Sequence, residues 1–236
     1  MTRILQFNNV HKSFSQAFTT PTLIQRLTKR KQAKSPRAVL KGVTFNLKAG
    51  ESVGIIGPNG SGKSTILQLA LGIIPPTSGN ITKTTSVLPL LSWAGVFIDQ
   101  LSIYDNLHLY SALLGGSIKS LDTDRVLCLS GLSLKLDEEM RICSPGMKVR
   151  LALSIASLHE AGIVLIDEML SASDAEFRIW AEKLFSSWRA QGKAILHVTH
   201  EPQLCERLST RILSLKDGQL VEATQFPADM KVANEF

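Results

Sequence analysis

Gly57, Pro58, Asn59, Gly60, Ser61, Gly62, Lys63, Ser64 and Thr65 run as G-x-x-x-x-G-K-[ST], a spacing that can cradle a triphosphate. The glycines let the backbone curl so that its N–H groups face inward around phosphate oxygens. A helix N-terminus behind them adds positive dipole density. Lys63 is expected to reach the outer phosphates and Ser64 to offer its hydroxyl to a magnesium ion. A second pair, Asp167 and Glu168, ends the apolar run Ile163, Val164, Leu165, Ile166. Two unpaired carboxylates make no sense as core, because burying them is costly. Asp167 is placed to support the magnesium shell, and Glu168 to polarise a water attacking the γ-phosphate. Away from a phosphate loop, the same pair would read as a solvated acidic turn. His200 closes another apolar run and could hydrogen-bond the γ-phosphate, whereas His197, inside that run, reads as a core or surface residue. Lastly, Ser144 and Pro145 suit the N-cap and first position of a helix that carries Gly146, Met147 and Lys148. Helix-start chemistry alone would explain them; their place about twenty residues before the aspartate–glutamate pair adds weight.

These groups need rigid elements to position them. Residues 52–56 read as a buried strand feeding the loop, and 64–71 as the helix leaving it, the context the phosphate motif requires. Residues 162–166 and 193–198 are apolar without alternation and are separated by a helical pattern over 174–189. Such runs predict a parallel sheet covered on both faces, with its site at the strand ends. Residues 4–7 and 43–47 read as short strands in a hairpin-like start, the second alternating at Val43, Phe45 and Leu47. Residues 72–79 read as a turn-rich connector. The middle of the chain is dominated by helical periodicity, with helices expected over 105–114, 122–129 and 146–159. Near the end, Asp217 and Gly218 predict a type I′ turn joining strands 211–216 and 219–221. The last ten or so residues read as loose.

The 236 residues suffice for one large α/β domain with a helical insertion and a full core. Cys128, Cys143 and Cys205 have neither paired nor metal-ligand spacing and suit reduced thiols of a cytosolic compartment. The N-terminus lacks the apolar core of a signal peptide, and no run has the apolar length to cross a bilayer. Action on a membrane would therefore need a partner that spans it. The net charge of +6 is concentrated in residues 15–37, where Arg26, Lys29, Arg30, Lys31, Lys34 and Arg37 lie with no acidic residue among them. That segment reads as a solvated mobile loop, or as a contact for an acidic membrane surface, a protein or nucleic acid. Within it, Leu23, Ile24 and Leu27 share a helical face, as a short amphipathic helix after Pro21 would require.

Taken in order, the phosphate loop, the Ser144–Met147 segment, the acidic strand and His200 resemble the ATPase subunit of an ABC transporter over nearly the whole chain. The helix-capping signature separates that family from kinases and GTPases that share the loop. Closer still is the resemblance to exporters of O-antigen, capsule or teichoic-acid chains. Their signature typically reads Ser-Ser-Gly-Met, against Ser144, Pro145, Gly146, Met147 here. Ala172, Ser173, Asp174, Ala175, Glu176 and Phe177 match their segment after the acidic strand. These exporters often lack the usual glutamine in the loop leading to the helical subdomain. Leu90, Leu91, Ser92, Trp93, Ala94 and Gly95 occupy that loop here, and Gln100 falls too late to replace it. Residues 101–106 match the family's lead-in to that subdomain, and a basic insertion near the first strands recurs in O-antigen exporters.

The resemblance implies one P-loop NTPase domain over residues 1–236, with a mostly parallel core sheet, an antiparallel β subdomain and a helical subdomain over about 98–160. It implies ATP and Mg2+ as ligands, and a head-to-tail homodimer with two ATP molecules between subunits. Each site would combine the phosphate loop, Asp167, Glu168 and His200 of one chain with Ser144, Gly146 and Met147 of the other. Asp174 would sit in the loop after the acidic strand, and Phe14 where the family stacks adenine, although an aromatic there could equally be core. A separate polytopic permease would carry the substrate, placing this chain peripherally on the cytoplasmic face of a bacterial inner or plasma membrane, with no nucleic acid expected. Longer O-antigen exporters append a carbohydrate-binding domain; this chain is expected not to select its cargo that way. Pro145 departs from the pattern by removing an N–H near the partner's γ-phosphate. An ABC ATPase for another substrate, or one acting on nucleic acid or ribosomes through the basic segment, is the alternative. The second kind usually has two cassettes or a long coiled coil, and neither is found here. Intact Lys63, Asp167 and Glu168 argue against an inactive nucleotide-binding module.

Overall fold

Apolar runs that lack alternation become the centre of a mixed sheet. The computed structural model describes residues 2–14, 36–90, 97–115, 121–167 and 175–223. Outside them fall Glu168, Asp174, the loop residues 91–96, the C-terminal residues 224–236, and the basic segment except Pro36 and Arg37, with its expected amphipathic helix. The strands are β1 (Arg3–Phe14), β2 (Arg37–Lys48), β3 (Ser52–Ile56), β4 (Ser78–Lys83), β5 (Val87–Leu90), β6 (Ile163–Asp167), β7 (Ala194–Val198), β8 (Arg211–Lys216) and β9 (Gln219–Glu222). The helices are α1 (Lys63–Leu71), α2 (Ile103–Leu113), α3 (Thr123–Ser130), α4 (Pro145–Ser157), α5 (Ala175–Ala190) and α6 (Pro202–Leu208).

The larger sheet has the order β5-β6-β7-β3-β8-β9. All neighbours pair in parallel except β8 and β9, which form the terminal hairpin. Asp217 and Gly218 both have positive φ, as a type I′ turn needs. Alternate residues of the central strands enter two different cores. Ile163, Leu165, Ala194, Leu196 and Val198 pack with β1, β2 and α1, while Val164, Ile166 and Ile195 pack with α2, α4 and α5. Each fully buried aliphatic side chain contributes roughly 1.5–3 kcal/mol relative to an exposed one. Burial on both faces is why these strands show no polar alternation in sequence.

A second sheet, β2-β1-β4, is antiparallel and stacks Phe7 on Phe45 with ring centroids 4.7 Å apart. The first strands are longer than the sequence suggested, because polar residues such as Asn8, Asn9 and Lys12 continue the ladder through register shifts. The connector expected over 72–79 gives way to β4 at Ser78, an edge strand whose side chains are almost all exposed. Such a strand carries no apolar pattern to read. The short strand β5, which carries Pro89, and the two-turn helix α6 also escaped the sequence reading.

The far end of α4 is fastened to the core. Trp188 is fully buried and donates its indole N–H to Ser157 Oγ at 2.9 Å. Lys193 donates to the carbonyls of His159 at 2.6 Å and Ser157 at 3.2 Å, closing the C-terminal end of the helix with a cation. Among the described residues, no helix is long and apolar enough to cross a membrane.

Candidate functional site

Strand register brings the separated motifs to one edge. Asp167 pairs with Val198, and Val198 pairs with Ile55, so the three lie in one row across β6, β7 and β3. Because the strands are parallel, the chain leaves that row in one direction. It runs into the phosphate loop after Ile56, into Thr199 and His200 after Val198, and past Asp167 toward Glu168. Sheet geometry alone therefore gathers the loop, the carboxylate and the histidine at the C-terminal edge, where doubly wound sheets hold ligands.

Helix α1 begins at Lys63 with Gly62 as N-cap, at φ 109°, a backbone conformation that favours glycine. No side chain caps this end, and its first turn holds no acidic residue. A helix start of this kind directs its leading N–H groups and the positive end of its dipole toward the loop. Lys63 is buried, and its ammonium folds back to donate to the carbonyls of Gly57 at 2.8 Å and Pro58 at 3.3 Å. Ser61 Oγ is buried with no hydrogen-bond partner among the described residues. A buried ammonium, an uncapped helix start and an orphan hydroxyl in one loop fit a bound phosphate chain. Pro58, Asn59, Gly60 and Ser64 are exposed along the same loop, and Thr65 is half-buried. Ser64 and the half-buried Asp167 supply oxygen donors of the kind that hold Mg2+ together with phosphate oxygens. Among the described residues, no group of three His, Cys, Asp or Glu side chains could hold a metal without such help.

Phe14 ends β1 with its ring 40% exposed, which places it outside both cores. Lys12 Nζ lies 5.0 Å from its ring centroid. His200 is exposed beyond the end of β7, whereas His197 is fully buried within it. The two histidines differ by the sheet's geometry rather than by their local sequence.

The Ser144 segment stands apart from this edge on the start of α4. Ser144 is the N-cap, its Oγ accepting from Met147 N–H at 3.3 Å, and Pro145 takes the first helical position. Ser144 and Pro145 are exposed, and Gly146 and Met147 half-buried. A Cβ on Gly146 would meet nothing nearer than Ser144 Oγ at 4.0 Å. Neither backbone strain nor crowding within the chain calls for glycine there, although alanine would favour the helix by roughly 1 kcal/mol.

Sequence reasoning missed several side chains that hold this segment in place. Lys148 pairs with Asp99 at 2.5 Å, and Arg150 pairs with Glu176 at 3.0 Å. Asn106, buried on α2, accepts from Ile98 N–H at 2.7 Å and donates to the carbonyls of Ile98 at 2.9 Å and Ser102 at 2.9 Å, which fixes the turn bearing Asp99. A buried Asn or Arg on an apolar helix face is the one signal that could have found them.

Residues 40–171 match a family profile described as ABC transporter. The chain is 34% identical over 185 residues to the O-antigen export system ATP-binding protein RfbB of Klebsiella pneumoniae, covering 78% of this chain and 75% of that protein. It is 34% identical over 212 residues to the teichoic acids export ATP-binding protein TagH of Enterococcus faecalis, covering 89% of this chain and 47% of that protein. Among solved structures, the ATP-binding cassette MJ0796, a dimer in a post-hydrolysis state bound to ADP and Pi, superposes with a TM-score of 0.70 at 22% identity. That match covers 94% of this chain and 100% of the other, and it bears on the fold alone.

Proposed function

We propose, on the premise that this chain belongs to the ABC transporter family of ATPases, that it powers export of a lipid-linked polysaccharide through a separate membrane-spanning partner. The observation that carries the ATPase half is the row Asp167–Val198–Ile55, which assembles the loop, the acidic strand and His200 at one edge. Polysaccharide as cargo is supported by the similarity to O-antigen and teichoic-acid export proteins. On this reading residues 1–236 form one ATPase domain with a helical subdomain over about 98–160.

Two copies close head to tail around two ATP molecules. The loop residues 57–65 hold the phosphates, with Lys63 on the outer ones, and Phe14 stacks the adenine. Ser64 and Asp167 would hold Mg2+, which when bound would neutralise charge on the phosphate oxygens. Glu168 takes a proton from the attacking water, and His200 hydrogen-bonds the γ-phosphate. The partner's Ser144, Gly146 and Met147 cover that phosphate, which accounts for a glycine that its own chain does not require. Asp174 lies in the loop between the two half-sites. Binding closes the dimer and hydrolysis reopens it, driving the permease at the cytoplasmic face of the membrane. The basic segment supplies a further contact to an anionic membrane surface.

Pro145 weakens the contact in trans by removing one N–H from it. Pro145→Gly or Pro145→Ser should therefore tighten ATP binding or raise turnover several-fold, up to about tenfold. Unchanged ATP affinity and ATPase rate in both variants would show that this N–H has no such role. For the cargo, replacing the native copy in its host with Glu168→Gln should strip the cell surface of polysaccharide and leave lipid-linked glycan inside. Normal surface glycan in that strain, with transport of some other solute lost, would sink the polysaccharide reading and leave the ATPase standing.

A further inference from the structure

Helix α5 carries its apolar face on Phe177, Ala181, Leu184, Phe185 and Trp188. At about 100° per residue, Glu176 and Trp180 flank that face on one side, and Arg178 and Glu182 on the other. Each flank is tied to a different half of the proposed ATP site.

On the first flank, Glu176 Oε1 accepts from Arg150 Nη1 at 3.0 Å, and the Arg150 guanidinium lies 5.8 Å from the Trp180 ring. The Trp180 indole N–H donates to Leu129 O at 2.9 Å, which adds α3 to the same junction. Arg150 sits on α4, the helix that Ser144 caps, and its side chain is only 9% exposed. On the second flank, Arg178 Nη2 stands 3.6 Å from Glu201 Oε2, on the residue that follows His200. Glu201 N–H also donates to Thr199 Oγ1 at 3.0 Å, so the turn at His200 is held from both sides. One turn along α5, Glu182 accepts from Arg207 of α6 at 3.3 Å.

We propose that α5 is a strut that fixes the distance between the two half-sites of one chain, the His200 turn that serves its own ATP and the Ser144 segment it lends to its partner. The proposal rests on the head-to-tail reading given above. Arg150 and Arg178 are then positioning residues, acting through α4 and through Glu201. In the dimer each chain takes part in both sites, so closure around the first ATP would place the Ser144 segment correctly for the second. The strut turns two binding events into one cooperative closure. The Arg178–Glu201 pair is half-buried, and breaking such a pair also costs folding stability, so the melting transition of each variant is read beside its coupling.

The test is the ATP dependence of hydrolysis by the full-length chain. The wild-type Hill coefficient should approach about 2, the number of sites. Arg178→Glu sets two carboxylates side by side and should bring it to about 1, and the swapped pair Arg178→Glu with Glu201→Arg should restore it. Where Arg178→Glu fails to fold, judged by its melting transition, Glu201→Gln replaces it and should lower the coefficient too. A coefficient unchanged in the folded variant, or lowered and not restored by the swap, overturns the strut. So does wild-type hydrolysis that is non-cooperative. A wild-type chain that does not hydrolyse ATP overturns the underlying ATPase reading instead.

Discussion

Glu168→Gln is expected to bind ATP normally and then stall, with turnover reduced about 100-fold or more, the usual contribution of a positioned general base. The amide keeps the size and hydrogen-bonding capacity of the carboxylate but cannot take a proton from water. Asp167 is held at the end of β6 by pairing with Val198, and Glu168 is the next residue in sequence, so the substitution leaves that pairing in place. Neither Lys63 nor the uncapped start of α1 is touched, and ATP affinity should survive. With hydrolysis blocked and binding intact, the closed dimer should accumulate. Size-exclusion chromatography with ATP and Mg2+ should show a dimer peak in the variant that the wild type shows only transiently. Wild-type turnover in Glu168→Gln would remove Glu168 as the base. A stalled variant that stays monomeric with ATP bound would leave the base in place and sink the head-to-tail sandwich.

Much of the structure around this site was legible because its signals are local in sequence. The loop residues 57–65, the capping of α4 by Ser144 and the hairpin turn at Asp217 and Gly218 each depend on a few adjacent residues, and each is found as expected. The apolar strands were legible for a different reason. Burial on both faces leaves 163–166 and 194–198 without polar alternation, as the strands of a covered parallel sheet show. Distance in sequence hid the rest. Nothing local to Arg150, Arg178 or Asp99 tells which carboxylate or ammonium they will meet, since their partners lie on other elements. Strand β4 was hidden for the opposite reason. Its residues are nearly all exposed, so pairing with β1 rather than burial defines it. Phe14 was open between core and ligand contact on sequence grounds, and its exposed ring removes the first of these.

His197 is expected to make the protein lose stability as pH falls from about 6.5 toward 4, by roughly 3 kcal/mol in all. Its ring is fully buried against Phe185, with centroids 5.8 Å apart, and packs beside Gly54, where an added Cβ would stand 3.1 Å from Nε2. Nε2 shares a 2.8 Å hydrogen bond with Ser209 Oγ, while Nδ1 is buried with no hydrogen-bond partner among the described residues. An imidazolium would have to present a second donor to that apolar surround, so burial pushes its pKa down to about 4 from the usual 6.5. Above pH 6.5 the ring is neutral folded or unfolded, and the stability is fully present. Between 6.5 and 4 the unfolded chain binds a proton that the folded chain refuses, so unfolding becomes easier by about 1.4 kcal/mol per pH unit. Urea unfolding at pH 7, 6 and 5 should show this slope in the wild type and a shallower one in His197→Leu, whatever the variant's stability at pH 7. Equal slopes would mean that another group carries the acid sensitivity. Strand β7 also delivers Thr199 and His200 to the phosphate loop. Nucleotide binding should therefore be lost at the same acid midpoint as the fold, and binding that fails well before unfolding would place the titration in the site itself.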